Sequence, residues 1–306
     1  MSLGKKYLLI IAGPTGIGKT DLSIQLAKHF KTDIISCDSR QMYREMKIGT
    51  AIPSEEQLSA AKHHFIGNLS IHDYYNVFTY EGQVLQLLEQ MYAKDNLAII
   101  TGGSGLYLDA VLYGMDDIPD PDPVLREKLT KRMEIEGVQK MADELRTIDP
   151  EYYKEVDINN PKRVLRGIEV WHSTRQKFSS FRIRKDGSRS FTPLFVNLDM
   201  DREELYDRIN RRVDIMISAG LEDEARQLYA HRDLNALNTV GYKEWFGHFD
   251  GDYTAEEAIR LIKRNSRHYA KRQITWNKKY QGALKIHPGS LDEIIKWVEY
   301  QTASSG

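Results

Sequence analysis

The run Lys6-Tyr7-Leu8-Leu9-Ile10-Ile11-Ala12-Gly13-Pro14-Thr15-Gly16-Ile17-Gly18-Lys19-Thr20 decides the fold. Its first half is short and apolar without alternation, which marks a strand buried on both faces of a parallel sheet. Its second half fits G-x-x-x-x-G-K-[ST]. From Asp21 to Phe30, Leu22, Leu26 and Phe30 recur at helical spacing. A strand, a glycine loop and a helix in succession let backbone N–H groups and a helix N-terminus cradle phosphate. At ordinary glycine frequency a chance match in such a chain is on the order of 1%. Lys19 is placed to reach a phosphate oxygen, and Thr20 to offer its hydroxyl to Mg2+. Gly13 to Thr20 is therefore a candidate diphosphate or nucleotide site. The motif specifies neither the rest of the ligand nor the bond that breaks.

Around this stretch, Asp33-Ile34-Ile35-Ser36-Cys37 and Leu97-Ala98-Ile99-Ile100-Thr101 read as two more short core strands, and Leu194-Phe195-Val196-Asn197-Leu198-Asp199 as a fourth. Strands alternating with helices predict an α/β, P-loop NTPase-like core with a doubly wound parallel sheet. Asp116 to Pro123 is a Pro/Asp linker, and Val124 to about Trp171 is helical in pattern. The expected organisation is a core in two parts, 1–115 and 191–306, around a helical insertion domain at 116–190. Lys185-Asp186-Gly187-Ser188 reads as a turn, and the tail from Thr302 as disordered.

The chain has 306 residues, 41% hydrophobic and 28% charged, with a net charge of −1. That composition excludes an intrinsically disordered chain. No apolar run approaches the length of a membrane span. The single cysteine, Cys37, excludes an internal disulfide and a cysteine metal cluster. A cytoplasmic address is expected. Charge is unevenly laid out. Ala258 to Leu291 holds no Asp or Glu but nine Lys and Arg residues, including Lys271 and Arg272, with Tyr269, Trp276 and Tyr280 interleaved. Lys162 to Arg189 is a second basic segment, with Lys162, Arg163, Arg166, Arg184 and Lys185 among its members. Two such segments on a near-neutral chain suit a polyanion with stacking bases, hence RNA.

Asp38 follows the second strand, at the sheet edge where ligands sit in doubly wound folds. It suits binding Mg2+ through water, taking a proton from a nucleophile, or capping a helix over Arg40 to Tyr43. Thr101 to Tyr107 ends the third strand in three glycines and a serine instead of an Asp, which speaks against a water-activating hydrolase. The small residues predict close approach by a bulky substrate. His63 and His64 are adjacent and do not suit one metal. Arg208 and Arg212 share one helix face and suit a diphosphate.

At this point the residues resemble a known family, the tRNA dimethylallyltransferases, also called tRNA isopentenyltransferases. Gly13 to Thr20 is similar to its GPTxxGKT loop, and Asp38-Ser39-Arg40-Gln41-Met42-Tyr43 to its DSxQxY segment. Ile48-Gly49-Thr50-Ala51-Ile52-Pro53 resembles its IGTAKP, with Ile52 where the family usually has Lys. His63-His64-Phe65, Gly102 to Tyr107, Arg163 to Glu169, Val240-Gly241-Tyr242-Lys243-Glu244 and Lys271-Arg272-Gln273-Ile274-Thr275-Trp276 resemble its HHL, GG[ST]GLY, RxxRALE, VGYRE and KRQxTW.

The resemblance implies transfer of a dimethylallyl group from dimethylallyl diphosphate to N6 of the adenine 3′-adjacent to a tRNA anticodon. It implies Asp38, Thr15 and Arg212 as catalytic residues, Thr15 also touching the diphosphate, with Mg2+ held through Thr20. It implies tRNA contacts at Asp38, Ser39, Arg40, Gln41 and Ser104. Further contacts are expected from Lys162, Arg163 and Arg166, from Gly241, Tyr242 and Lys243, and from Lys271, Arg272, Gln273 and Trp276. A monomer is expected. The residues alone leave open a P-loop kinase of a small metabolite using ATP, an isopentenyltransferase acting on free adenine nucleotides, and a non-catalytic RNA-binding nucleotide switch.

Overall fold

A computed structural model describes residues 4–120, 122–182 and 188–303. Its strands are β1 (Tyr7–Ala12), β2 (Ile34–Ser36), β3 (His63–His64), β4 (Leu97–Thr101), β5 (Thr192–Leu198) and β6 (Leu284–Ile286). They form one sheet in the order β3-β2-β4-β1-β5-β6, with parallel pairing throughout. The four expected strands are the four inner ones. The two missed strands are the edges. At two and three residues they are too short to show a period.

Residues of β1 alternate between two cores. Tyr7, Leu9 and Ile11 pack with Leu22 and Leu26 of the helix Lys19–Phe30, while Leu8, Ile10 and Ala12 pack with Tyr80 and Val84 of the helix Val77–Tyr92. Helices on both faces explain why β1 is apolar at every position. In register, Ile11 lies beside Thr101, Ser36 beside Thr101, and Ala12 beside Asn197. The segments leaving β1, β2 and β4 therefore begin at one level.

The chain divides into two compact units, Met1–Leu112 with Arg189–Gly306, and Tyr113–Ser188. The second unit is helical. Its helices Pro123–Ile148, Pro150–Glu155 and Pro161–Thr174 each start on a proline, preceded by a cap: Asp122, Asp149 and Asn160 accept backbone N–H groups of the first turn. The last two residues of the expected linker, Asp122 and Pro123, are thus a helix start. Glu169 is fully buried and ion-paired with Arg126 and Arg166. Among the expected turn residues, 185–187 lie outside the described residues, as do Arg184 and the last three of the tail. The helix Leu291–Ala303 takes in Thr302 and Ala303, because Val298 and Ile294 anchor it to the core.

Candidate active site

The loop Gly13–Thr20 leaves β1 and turns into the helix Lys19–Phe30. Gly18 precedes that helix at φ +104°, a left-handed conformation that favours glycine. The Lys19 ammonium donates to the carbonyls of Gly13 (3.0 Å) and Pro14 (2.9 Å). Burial and the nearby Arg212 pull its pKa down to about 8, against the opposing pull of Asp38. From the helix Arg202–Ser218, Arg208 Nε donates to Gly16 O (3.0 Å) and Arg212 Nη1 to Thr15 Oγ1 (3.1 Å). The expected pair therefore meets the loop itself. Burial lowers the Arg212 pKa.

Asp38 divides its two oxygens. Oδ1 accepts from Arg40 N (2.9 Å) and Gln41 N (3.4 Å), an Asx turn with no helix after it. Oδ2 meets no hydrogen-bond donor among the described residues. The expected helix over Arg40 to Tyr43 is therefore absent, and Asp38 closes a turn with one oxygen and leaves the other unbonded.

The glycines after β4 serve a different purpose from the one expected. A Cβ on Gly103 would come within 2.4 Å of Gln273 Nε2, and one on Gly105 within 2.3 Å of Trp276 Nε1. The space is filled by the helix Ala255–Asn277, so the small residues admit protein.

Two cavities open beside these residues. One, of about 760 Å³, is lined by Gly16, Gly18, Lys19 and Thr20 together with Arg208, Arg211 and Arg212. The other, of about 480 Å³, is lined by Ser39, Arg40, Gly49, Gly241, Lys243, His268, Tyr269 and Arg272. Thr15, Asp38 and Arg212 line both.

Two carboxylates brace the segments around the second cavity: Glu224, outside every motif of the sequence, and Glu244, which closes the Val240–Glu244 stretch. Glu224 accepts from the backbone N–H groups of Lys47 (2.9 Å), Ile48 (2.8 Å) and Gly49 (2.9 Å) and from Tyr242 Oη (2.6 Å). Glu244 accepts from Gly241 N (2.8 Å) and Asn265 Nδ2 (2.6 Å). Glu224 falls in no pattern that betrays it, because its partners are distant in sequence, whereas Glu244 caps the start of its own helix through Gly241 N, three residues before it.

The other expected site residues divide by burial. Lys243, Lys271, Arg272 and Trp276 are exposed, as are Lys162 and Arg163 of the helical unit. Tyr242 is fully buried, and Gln273 is 7% exposed with both ends of its amide spent on Thr15 and Gly103. Gln41 donates to Thr50 O and Ala51 O, and Ser104 to Ser39 Oγ. Arg166 is spent on Glu169 and Pro119 O. The basic segments are also less free than their sequence suggests: Arg260 pairs with Glu257, Lys263 with Asp214 and Lys279 with Asp109. His64 bonds Asp33, His63 Nδ1 bonds Ala61 O, and no group of three or more metal-ligating side chains occurs among the described residues.

A parallel α/β sheet with a P-loop-like turn beside paired cavities defines the class. The family model for IPP transferase matches residues 41–280, and the chain belongs to that family. It is 49% identical over 291 residues to tRNA dimethylallyltransferase 1 of Phocaeicola vulgatus, covering 95% of this chain and 97% of the relative. It is 46% identical to the tRNA dimethylallyltransferase of Flavobacterium johnsoniae, covering 97% and 94%. Among solved structures it is similar to a tRNA isopentenylpyrophosphate transferase of Bacillus halodurans, with a TM-score of 0.70 and 34% identity over 98% of this chain and 96% of that one. It is also similar to a eukaryotic dimethylallyltransferase acting on tRNA, with a TM-score of 0.77 and 27% identity over 94% and 75%.

Proposed function

We propose that this transferase moves a dimethylallyl group from dimethylallyl diphosphate to N6 of the adenine 3′-adjacent to the anticodon of tRNA, releasing diphosphate. One observation carries the reading: a cation-lined cavity at the glycine loop and a second cavity share Thr15, Asp38 and Arg212. The first suits an anionic donor. The second suits a single base unstacked from an RNA loop, at a cost on the order of a few kcal/mol.

In this mechanism N6 attacks C1 of the prenyl chain as the C1–O bond breaks. Asp38 Oδ2 takes the N6 proton, while Oδ1 stays in the turn that aims it. Lys19, Arg212 and the loop N–H groups stabilise the charge gathering on the departing oxygens. The Thr20 hydroxyl would hold Mg2+ together with donor oxygens and water. The lack of a carboxylate cage among the described residues fits a hard cation that arrives with its diphosphate. Bound there, it neutralises charge on the leaving group.

Exposed Lys243, Lys271, Arg272 and Trp276, with Lys162 and Arg163 of the helical unit, are the proposed RNA contacts. Arg40 and Ser39 line the base cavity. Buried Tyr242 and half-buried Gln41 and Ser104 hold its walls. Action as a monomer is part of the proposal. No helix among the described residues is long and apolar enough to cross a membrane; a cytoplasmic address is part of the proposal.

The test is incubation with labelled dimethylallyl diphosphate, Mg2+ and an anticodon stem-loop carrying the target adenine. Label on the RNA is expected. Phosphate transfer from ATP without RNA would instead make the protein a kinase, and label on free adenine nucleotides alone would exclude the RNA acceptor.

A further inference from the structure

Tyr269, on the helix Ala255–Asn277, lines the second cavity together with Asp38. A Cβ built on Gly103 would stand 3.4 Å from Asp38 Oδ2 and 3.5 Å from Tyr269 Oη, so the two oxygens flank one point. The third neighbour of that point, Gln273 Nε2, is turned to Gly103 O and belongs to the lining of the other cavity. Oδ2 receives nothing from Tyr269, whose hydroxyl hydrogen goes to Gly103 O at 3.2 Å. Burial, and after it the charge of Asp38, push the Tyr269 pKa up against smaller pulls from Ser104, Arg40 and Arg272. The phenol therefore stays neutral and keeps that hydrogen. A hydroxyl whose hydrogen is committed offers only lone pairs to a further partner. The cavity thus presents two acceptors around one point, one charged and one neutral.

We propose that Tyr269 is a specificity-determining residue for the acceptor base: its hydroxyl oxygen accepts one N6–H of the adenine while Asp38 Oδ2 accepts the other. The proposal rests on the reading of this cavity as the acceptor site. An exocyclic amine carries two diverging hydrogens and can bridge two acceptors set around one point. Asp38 removes the first hydrogen as N6 bonds to C1 and the C1–O electron pair leaves with diphosphate. The second stays on N6, held by Tyr269, and remains in the product. Gripping both hydrogens fixes the plane of the amine, so that its face meets C1. A purine with oxygen at C6 sets lone pairs against both acceptors. One with only hydrogen there leaves the carboxylate unpaired. Both are rejected by the same pair of oxygens.

The probes are two anticodon stem-loops, one with adenine at the target position and one with unsubstituted purine, which lacks the amino group. Both are titrated without donor, so nothing is transferred. The unaltered protein should bind the adenine form at least about thirtyfold more tightly. In Tyr269→Phe that ratio should shrink by about fivefold, the worth of one neutral hydrogen bond, with the purine form bound within about twofold of normal. Should Tyr269→Phe fail to fold, the ratio in Tyr269→Leu decides. An undiminished ratio in the variant overturns the proposal, as does no preference for adenine in the unaltered protein. Equal weakening of both stem-loops also overturns it, since it leaves the hydroxyl only a brace for Gly103. If the unaltered protein labels the adenine stem-loop yet the ratio ignores Tyr269, this proposal alone fails; if it never labels that stem-loop, the transferase reading fails first.

Discussion

The two halves of the candidate site are built differently. The proposed donor half centres on one unbroken stretch, Gly13–Thr20, bonded by two arginines a helical turn apart, with outer walls from Ala51–Pro53 and Thr101–Gly103. The acceptor half is assembled from four separated stretches, around Asp38–Thr50, Ile209–Met216, Asn238–Glu244 and Ile262–Arg272. Phosphate recognition needs only amides and cations, which a local turn supplies. Recognition of a base needs walls on several sides, and long-range carboxylates hold those walls: Glu224 grips three successive amides of one segment and the Tyr242 hydroxyl of another. Substitutions in the two halves should consequently separate donor binding from acceptor binding, with Asp38 shared by both.

The largest effect should come at the junction. Asp38→Ala removes the proposed base and should cut turnover by at least about 10²-fold with donor affinity largely kept. Near-normal single-turnover rates would break the assignment. Next comes the donor half. Lys19→Ala should weaken donor binding by roughly tenfold to a hundredfold, the worth of one charge-assisted contact, and lower turnover with it. Lys19 also sets a pH limit. Its pKa in the empty site is pulled down to about 8. A bound anion raises that pKa, so binding takes up a proton above pH 8. Donor affinity should be full below pH 8 and fall by up to about tenfold per unit above it, and Lys19→Ala should flatten that limb.

The acceptor half should respond at a distance. Glu224→Gln replaces one oxygen that accepts two of the four bonds with an NH2 group facing donors. The 47–49 segment should loosen, raising the KM for RNA by about tenfold with the donor KM unchanged. If both KM values rise together, the two halves are one frame and the comparison fails.

Much of this was legible in the sequence, and the limits have physical causes. The inner strands announced themselves because burial on both faces forces unbroken apolar runs such as Leu8-Leu9-Ile10-Ile11. The loop did so because phosphate contact dictates glycine and lysine at set spacing. The edge strands β3 and β6 did not, being short and half-buried. The glycines at 103 and 105 were visible, but their purpose was not: a sequence shows that something comes close, not whether it is a substrate or Gln273 and Trp276. Glu224 sits between other acids and gains its meaning only from amides brought near by the fold.

The smallest expected effect concerns the basic helix, where the charge pattern overstated the free cations. Arg260 makes a bidentate pair with Glu257 on its own helix face, whereas no acidic partner meets Lys271 or Arg272 among the described residues. A cation already committed to a carboxylate releases few counterions when RNA docks, so the linear charge run is a poor guide to salt dependence. Lys271→Ala should weaken RNA binding by roughly threefold and lower the salt slope by about 0.7–0.9. Arg260→Ala should leave both unchanged. Filter binding at several salt concentrations reads the difference. Equal slopes for the two variants would mean that the RNA pulls Arg260 from Glu257, and that the whole helix face, paired or not, belongs to the acceptor half.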